Sequence, residues 1–146
     1  MPQMGLMTWK LAVAALALLF SACGASVAQE MMAEEYIGKF TVYNVEGRAA
    51  LADEGGAILY TNEDDPPLTA RCLDACARNW PPATAIPADA GFQDFGIIVR
   101  PDGVRQWTYK GHPLYRSVLD ARPGDSRALG IDGLWYVVRI KAHFMP

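Results

Sequence analysis

Apolar and β-branched residues come in short bursts separated by turn residues, and no long stretch keeps the 3.6-residue spacing of an amphipathic helix. Tyr36-Ile-Gly-Lys-Phe-Thr-Val-Tyr-Asn-Val45 predicts a strand, Glu46-Gly47 a turn, and Ala49 to Ala52 a second strand that ends at Asp53-Glu54-Gly55-Gly56. Ala57 to Thr61 predicts a third. Asn62 to Ala70, with its acids and Pro66-Pro67, predicts a loop. Cys72 to Asn79 carries Leu73, Ala75, Ala77 and Arg78, enough for two helical turns before Pro81 and Pro82 stop it. Pro81 to Asp94, rich in Pro and Ala, predicts a long surface connection. Gly96 to Arg100 and Val104 to Tyr109 flank Pro101-Asp102-Gly103, the strongest hairpin signal in the chain. Lys110-Gly-His-Pro113 turns into Leu114-Tyr115, and Gly133 to Ile140 predicts a final strand. The sum is a mainly β fold: a small antiparallel β-rich domain with at most one short helix, near the Cys-x-x-x-Cys pair.

The pattern also echoes itself. Gly56-Ala-Ile-Leu-Tyr60 and Gly111-His-Pro-Leu-Tyr115 share Gly, two residues, then Leu-Tyr, and each Tyr is followed at the same distance by an aspartate, Asp65 and Asp120. Proline follows each, as Pro66 and Pro123. Two related hairpin repeats built around Tyr60/Asp65 and Tyr115/Asp120 are the expectation.

The N-terminus has another grammar. A short n-region bearing Lys10 precedes the apolar run Leu11 to Phe20, and the length suits an export signal better than a membrane-spanning helix. Phe20-Ser21-Ala22-Cys23 resembles a bacterial lipobox, which would remove residues 1–22 and place a lipid on Cys23. Phe20 stands where such a site usually has Leu. The competing site is Ser26-Val27-Ala28, which would release a soluble chain beginning at Gln29. The lipobox is favoured because it abuts the apolar run and uses the odd cysteine of three. Residues 23–35 are then a tether and 36–146 the domain. The location is extracytoplasmic, with the membrane as partner through the lipid, or soluble and secreted or periplasmic under the second cleavage.

Composition narrows the partners. The formal net charge is −3, and loss of the leader removes Lys10 and no acid. Mild acidity without a basic cluster argues against nucleic acid. Further motifs are Cys-x-x-x-Cys-Ala-x-x-Trp-Pro-Pro at Cys72–Pro82, Arg-x-Asp-Gly-x-x-Gln at Arg100–Gln106, Thr-Tyr-x-Gly-x-Pro-Leu-Tyr at Thr108–Tyr115, Pro123-Gly124-Asp125 and Gly133-x-Trp135. On these residues, from about Leu51 to Ile140, the chain resembles the bacterial secreted-repeat lipoproteins, a predicted family of unknown function marked by Tyr-x-aromatic-x-x-Asp. Here the aromatic position holds Asn62 and Ser117. The resemblance implies secretion and a β-rich repeat, and carries over no activity.

Candidate chemistry is sparse. Cys72 and Cys76 in an exported chain read as a structural disulfide, with a thiol redox pair as the alternative. His143 and Met145 are soft ligands that suit copper, weakly, as only two in a C-terminal tail. His112 reads as an exposed turn residue. Asp64, Asp65, Asp120 and Asp125 fall in loops without the spacing of a calcium loop, and read as turn and cap residues. Trp80, Trp107, Tyr109 and Trp135 read first as core, and as a ligand surface if part of the set is exposed. No cofactor is indicated. The functional expectation is a non-enzymatic binding or interaction module whose partner is an envelope protein or a small ligand. The alternative is a thiol redox or copper-handling protein of the periplasm.

Overall fold

The computed structural model describes residues 35–141. The leader, Cys23, the tether up to Glu34, and His143 and Met145 lie outside the described residues. Among these residues no helix is long and apolar enough to cross a membrane.

Among the described residues eight short strands form three antiparallel sheets. The first has the order β1-β2-β3, from Glu35–Ile37, Phe40–Val45 and Arg48–Ala52. The second pairs β4 (Tyr60–Asn62) with β8 (Trp135–Val137). The third has the order β5-β6-β7, from Phe95–Val99, Arg105–Tyr109 and His112–Pro113. Among the same residues one helix, α1, spans Asp74–Asn79, and a single 3-10 turn covers Ile131–Gly133. The mainly β, antiparallel architecture with one short helix beside the cysteine pair is as the sequence predicts.

Two departures have physical causes. The stretch from Tyr36 to Val45 is a hairpin and not one strand, because Gly38 adopts φ +64° and Ile37 pairs back onto Phe40. A Cβ on Gly38 would lie 2.6 Å from the Phe92 ring, so the turn is also closed to larger residues by packing. Second, Pro81 to Asp94 is not a surface connection along its whole length. Ala83 donates to Leu114 O (2.8 Å) and accepts from Trp107 N–H (2.8 Å), while Ala85 donates to Arg105 O (3.0 Å). The segment therefore runs as an irregular strand beside β6. The small side chains of Ala83 and Ala85 let it be buried there.

The turns follow local chemistry. Between β2 and β3, Glu46 and Gly47 both take positive φ (54° and 73°), the type I′ geometry that matches strand twist. Between β5 and β6, Gly103 N–H returns to Arg100 O (2.9 Å), and the Asp102 carboxylate accepts from Val104 N–H (3.1 Å).

Two buried clusters make the core. One gathers Val45, Ala50, Ala52, Ile58, Tyr60, Cys72, Trp80, Tyr115, Ala128, Trp135 and Val137. The other gathers Phe40, Leu51, Leu59, Ala83, Phe95, Trp107, Leu114 and Val138. Each draws on residues before Trp80 and on residues after it, so neither half of the chain closes a core alone.

Candidate functional site

The echoed motifs meet at the centre of the molecule. Tyr60 donates its backbone N–H to Tyr115 O (2.8 Å), and Tyr115 returns the same bond to Tyr60 O (2.9 Å). Their hydroxyls then cross over. Tyr60 OH donates to the Asp120 carboxylate, and Tyr115 OH donates to the Asp65 carboxylate, both at 2.6 Å. Each motif tyrosine is thus satisfied by the aspartate of the other motif and not by its own.

The exchange extends over the fold, for the most part at the spacing that separates Tyr60 from Tyr115. Leu68 N–H donates to Gly111 O (2.8 Å) and, one residue beyond that spacing, Gly124 N–H donates to Gly56 O (2.9 Å). Ala83 N–H bonds Leu114 O (2.8 Å) as Val138 N–H bonds Leu59 O (2.9 Å). Val118 N–H reaches Asn79 O (3.1 Å) as Glu63 N–H reaches Leu134 O (2.9 Å). Trp80 and Trp135, separated by the spacing that separates Tyr60 from Tyr115, stack with centroids 3.7 Å apart and planes 6° from parallel. Tyr60 packs edge-on to Trp80 and Tyr115 edge-on to Trp135. Phe40 stacks on its counterpart Phe95 at 4.4 Å. Two equivalent halves related by an approximate two-fold produce this pattern; a chance echo would not.

The loops that deliver the aspartates are built alike. Asn62 Oδ1 accepts from Asp64 N–H (2.9 Å), and Ser117 Oγ accepts from Leu119 N–H (3.2 Å). These are the polar residues at the motif's aromatic position, and here they hold the turn. Asp65 then accepts Arg71 N–H and Asp120 accepts Arg127 N–H, each at 2.8 Å. Asp125 caps the loop at Ala121 and Arg122 (3.2 and 3.1 Å). Burial, then the hydrogen bond and charge of the facing aspartate, push both phenols well above the ordinary tyrosine range. They stay neutral donors and are unsuited to act as bases.

A second polar group sits beside the first. The Arg100 side chain has no exposure, and it donates from Nη1 to Gln106 Oε1 (2.8 Å) and from Nη2 to Cys72 O (2.9 Å). Gln106 Nε2 passes the network to Leu114 O (2.7 Å). The Arg100 guanidinium also contacts Asp102 at 3.2 Å, and this contact first, then Val104 N–H, holds that exposed carboxyl below its usual range. The Arg-x-Asp-Gly-x-x-Gln motif is therefore one hydrogen-bonded unit. Composition does not announce its burial; the spacing of Arg and Gln across a hairpin turn is the signal the sequence carries.

The second half is where known sequences match. Residues 96–139 match a family described as a secreted repeat of unknown function. No curated protein and no solved structure matches the chain. The matched stretch runs from β5 through β8 and contains Arg100, Gln106, Tyr115, Asp120 and Trp135. The family implies an extracytoplasmic location, and the resemblance read on the motifs is shown over these residues.

The remaining candidates are placed as follows. Cys72 and Cys76 form a disulfide, with Cα atoms 5.1 Å apart across the entry to α1. Cys72 is buried and Cys76 half-buried. Trp80, Trp107 and Trp135 are 7%, 3% and 3% exposed, so they build the core and offer no ligand surface. Tyr109 is half-buried and lines a cleft of about 260 Å³ with Ile37, Phe95, Ile140 and Lys110. His112 is exposed. Among the described residues no group of three or more His, Cys, Asp or Glu could hold a metal ion. Asp64 is exposed, whereas Asp65 is buried against Tyr115.

Proposed function

We propose that this protein is an exported envelope module, held to a membrane by a lipid on Cys23, that works by binding through its surface. The supporting observation is the use of the motif residues. Tyr60, Asp65, Tyr115 and Asp120 are consumed in contacts between the two halves, so the motif specifies a scaffold. What such a scaffold presents for recognition is then its edges and loops, which differ between the halves. The secreted repeat supports export, and the Phe20-Ser21-Ala22-Cys23 site supports the lipid.

Growth with an alkyne-tagged fatty acid tests the anchor. The expected result is a labelled chain in the membrane fraction, with label and membrane association both lost in Cys23→Ser. An unlabelled chain beginning at Gln29 contradicts the anchor and leaves export standing.

A further inference from the structure

The two halves differ at one edge. In the first, the outer side of β2 is covered by β1, with Glu35 in register with Val42 and Ile37 with Phe40. The counterpart of β2 is β5, at the spacing that relates Phe40 to Phe95. There the covering strand shrinks to a single bridge, Phe92 with Phe95, which exchange both backbone bonds (2.9 and 2.8 Å). Beyond it no strand pairs with the outer side of β5 among the described residues.

The direction of the free groups follows from the ladder. Trp107 spends its N–H on Ala83 and its C=O on Leu114, and Arg105 spends its C=O on Ala85. Their register partners Ile97 and Val99 therefore turn their own N–H and C=O away from β6, toward the open edge. Burial agrees at the central position: Val42, under β1, is 3% exposed, while its counterpart Ile97 is half-buried; Val99, like its counterpart Asn44, is exposed, at 69%. β5 reads Phe-Gly-Ile-Ile-Val, with no charge, no proline and none of the usual devices that blunt an edge.

We propose that the open edge of β5 is a self-association surface that pairs antiparallel with β5 of a second copy of this chain. One register uses every free group. With Ile97 opposite Val99 of the second copy, and Val99 opposite its Ile97, both residues exchange N–H and C=O bonds, and Ile98 lies opposite Ile98 on the two-fold axis. The sheet becomes continuous from β7 through β5 into the second copy. Every facing side chain is aliphatic, and no like charges meet. Shifting the register to set Ile97 against Ile97 would place Val99 against Phe95, whose backbone is already taken by Phe92. The contact is small for an interface, so the dimer is weak in dilute solution and favoured where copies are concentrated. It stands whether or not the chain carries a lipid.

Two measurements on the exported chain test this. Sedimentation equilibrium of the wild type is expected to show an average mass rising toward the dimer with concentration, and Val99→Lys is expected to remain monomeric. Val99 is exposed enough that the substitution leaves the monomer intact. Oxidative cross-linking of an equal mixture of Ile97→Cys and Val99→Cys chains is expected to give a disulfide-linked dimer that neither variant gives alone, above the wild-type background. Arg122→Cys, at an exposed site elsewhere, reports random collision. A wild type that stays monomeric at all concentrations, an unchanged mass profile in Val99→Lys, or a mixture no more cross-linked than Arg122→Cys would overturn the proposal.

Discussion

The two halves of this chain share a plan and fill it with opposite chemistry. Where the first half places Val45, Ala50 and Ala52, the second places Arg100, Gln106 and Thr108, and all six are buried. Matching bridges, Ala50 with Arg139 and Thr84 with Gln106, fix the equivalence. The same backbone thus accepts either an apolar filling or a buried guanidinium, provided the guanidinium is fully partnered. Arg100 is partnered partly from the other half, at Cys72 O. The apolar half is held by burial, which is tolerant of detail, and the polar half by directional bonds, which are not.

One expected effect concerns the feature the halves have in common. Both motif phenols ionise far more reluctantly in the folded chain than in the unfolded one, and burial is the first cause in each case. Below about pH 10 both states keep these protons and stability is unaffected. Above it the unfolded chain loses them and the folded chain does not, so stability falls by roughly 1.4 kcal/mol per pH unit for each tyrosine. Urea midpoints measured between pH 9 and pH 11 should drop steeply, and Tyr60→Phe or Tyr115→Phe should each remove part of that slope. A flat profile would mean that the phenols are not held neutral.

Next comes the contrast itself. Arg100→Ala strands Gln106 Oε1 and Cys72 O in the interior, and is expected to cost about 3–5 kcal/mol. Val45→Ala, at the matching position, removes apolar area only and is expected to cost about 1–2 kcal/mol. Equal costs, read from urea midpoints at constant slope, would erase the distinction between the halves.

A smaller asymmetry sharpens it. Asp65 is buried and Asp120 half-buried, so removing the hydroxyl that faces Asp65 leaves the drier carboxylate short of a donor. Tyr115→Phe should therefore destabilise by about 2–3 kcal/mol and Tyr60→Phe by about 1–2 kcal/mol. The reverse order in thermal melts would place the drier pair at Tyr60.

Much of this architecture was legible in the residues. Hairpins at Glu46-Gly47 and Pro101-Asp102-Gly103 follow from local turn chemistry, and the helix Asp74–Asn79, inside the expected Cys72–Asn79, from its helix formers and the prolines after it. The Gly-x-x-Leu-Tyr echo announced two repeats. It did not announce the exchange, because a tyrosine facing the aspartate of its own motif and one facing that of the other produce the same sequence. Ala83 and Ala85 were hidden for another reason: Pro/Ala composition fits a loop, and only the neighbouring strands reveal that small side chains are wanted there. The fate of Asn62 and Ser117 was similarly invisible, since a polar residue replacing an aromatic reads as a loss until its turn bond is seen. The tryptophans were ambiguous between core and surface, and stacking across the two-fold resolves Trp80 and Trp135 to the core.

The central claim is that each motif tyrosine belongs to the other motif's aspartate. A double-mutant cycle reads it directly, from the unfolding free energies of Tyr60→Phe combined with Asp120→Asn and of Tyr60→Phe combined with Asp65→Asn. Coupling of about 1–2 kcal/mol is predicted for the Tyr60/Asp120 pair, with additivity, within about 0.5 kcal/mol, for Tyr60/Asp65. Coupling confined to Tyr60/Asp65 would mean that each motif is closed on itself, and would contradict the account.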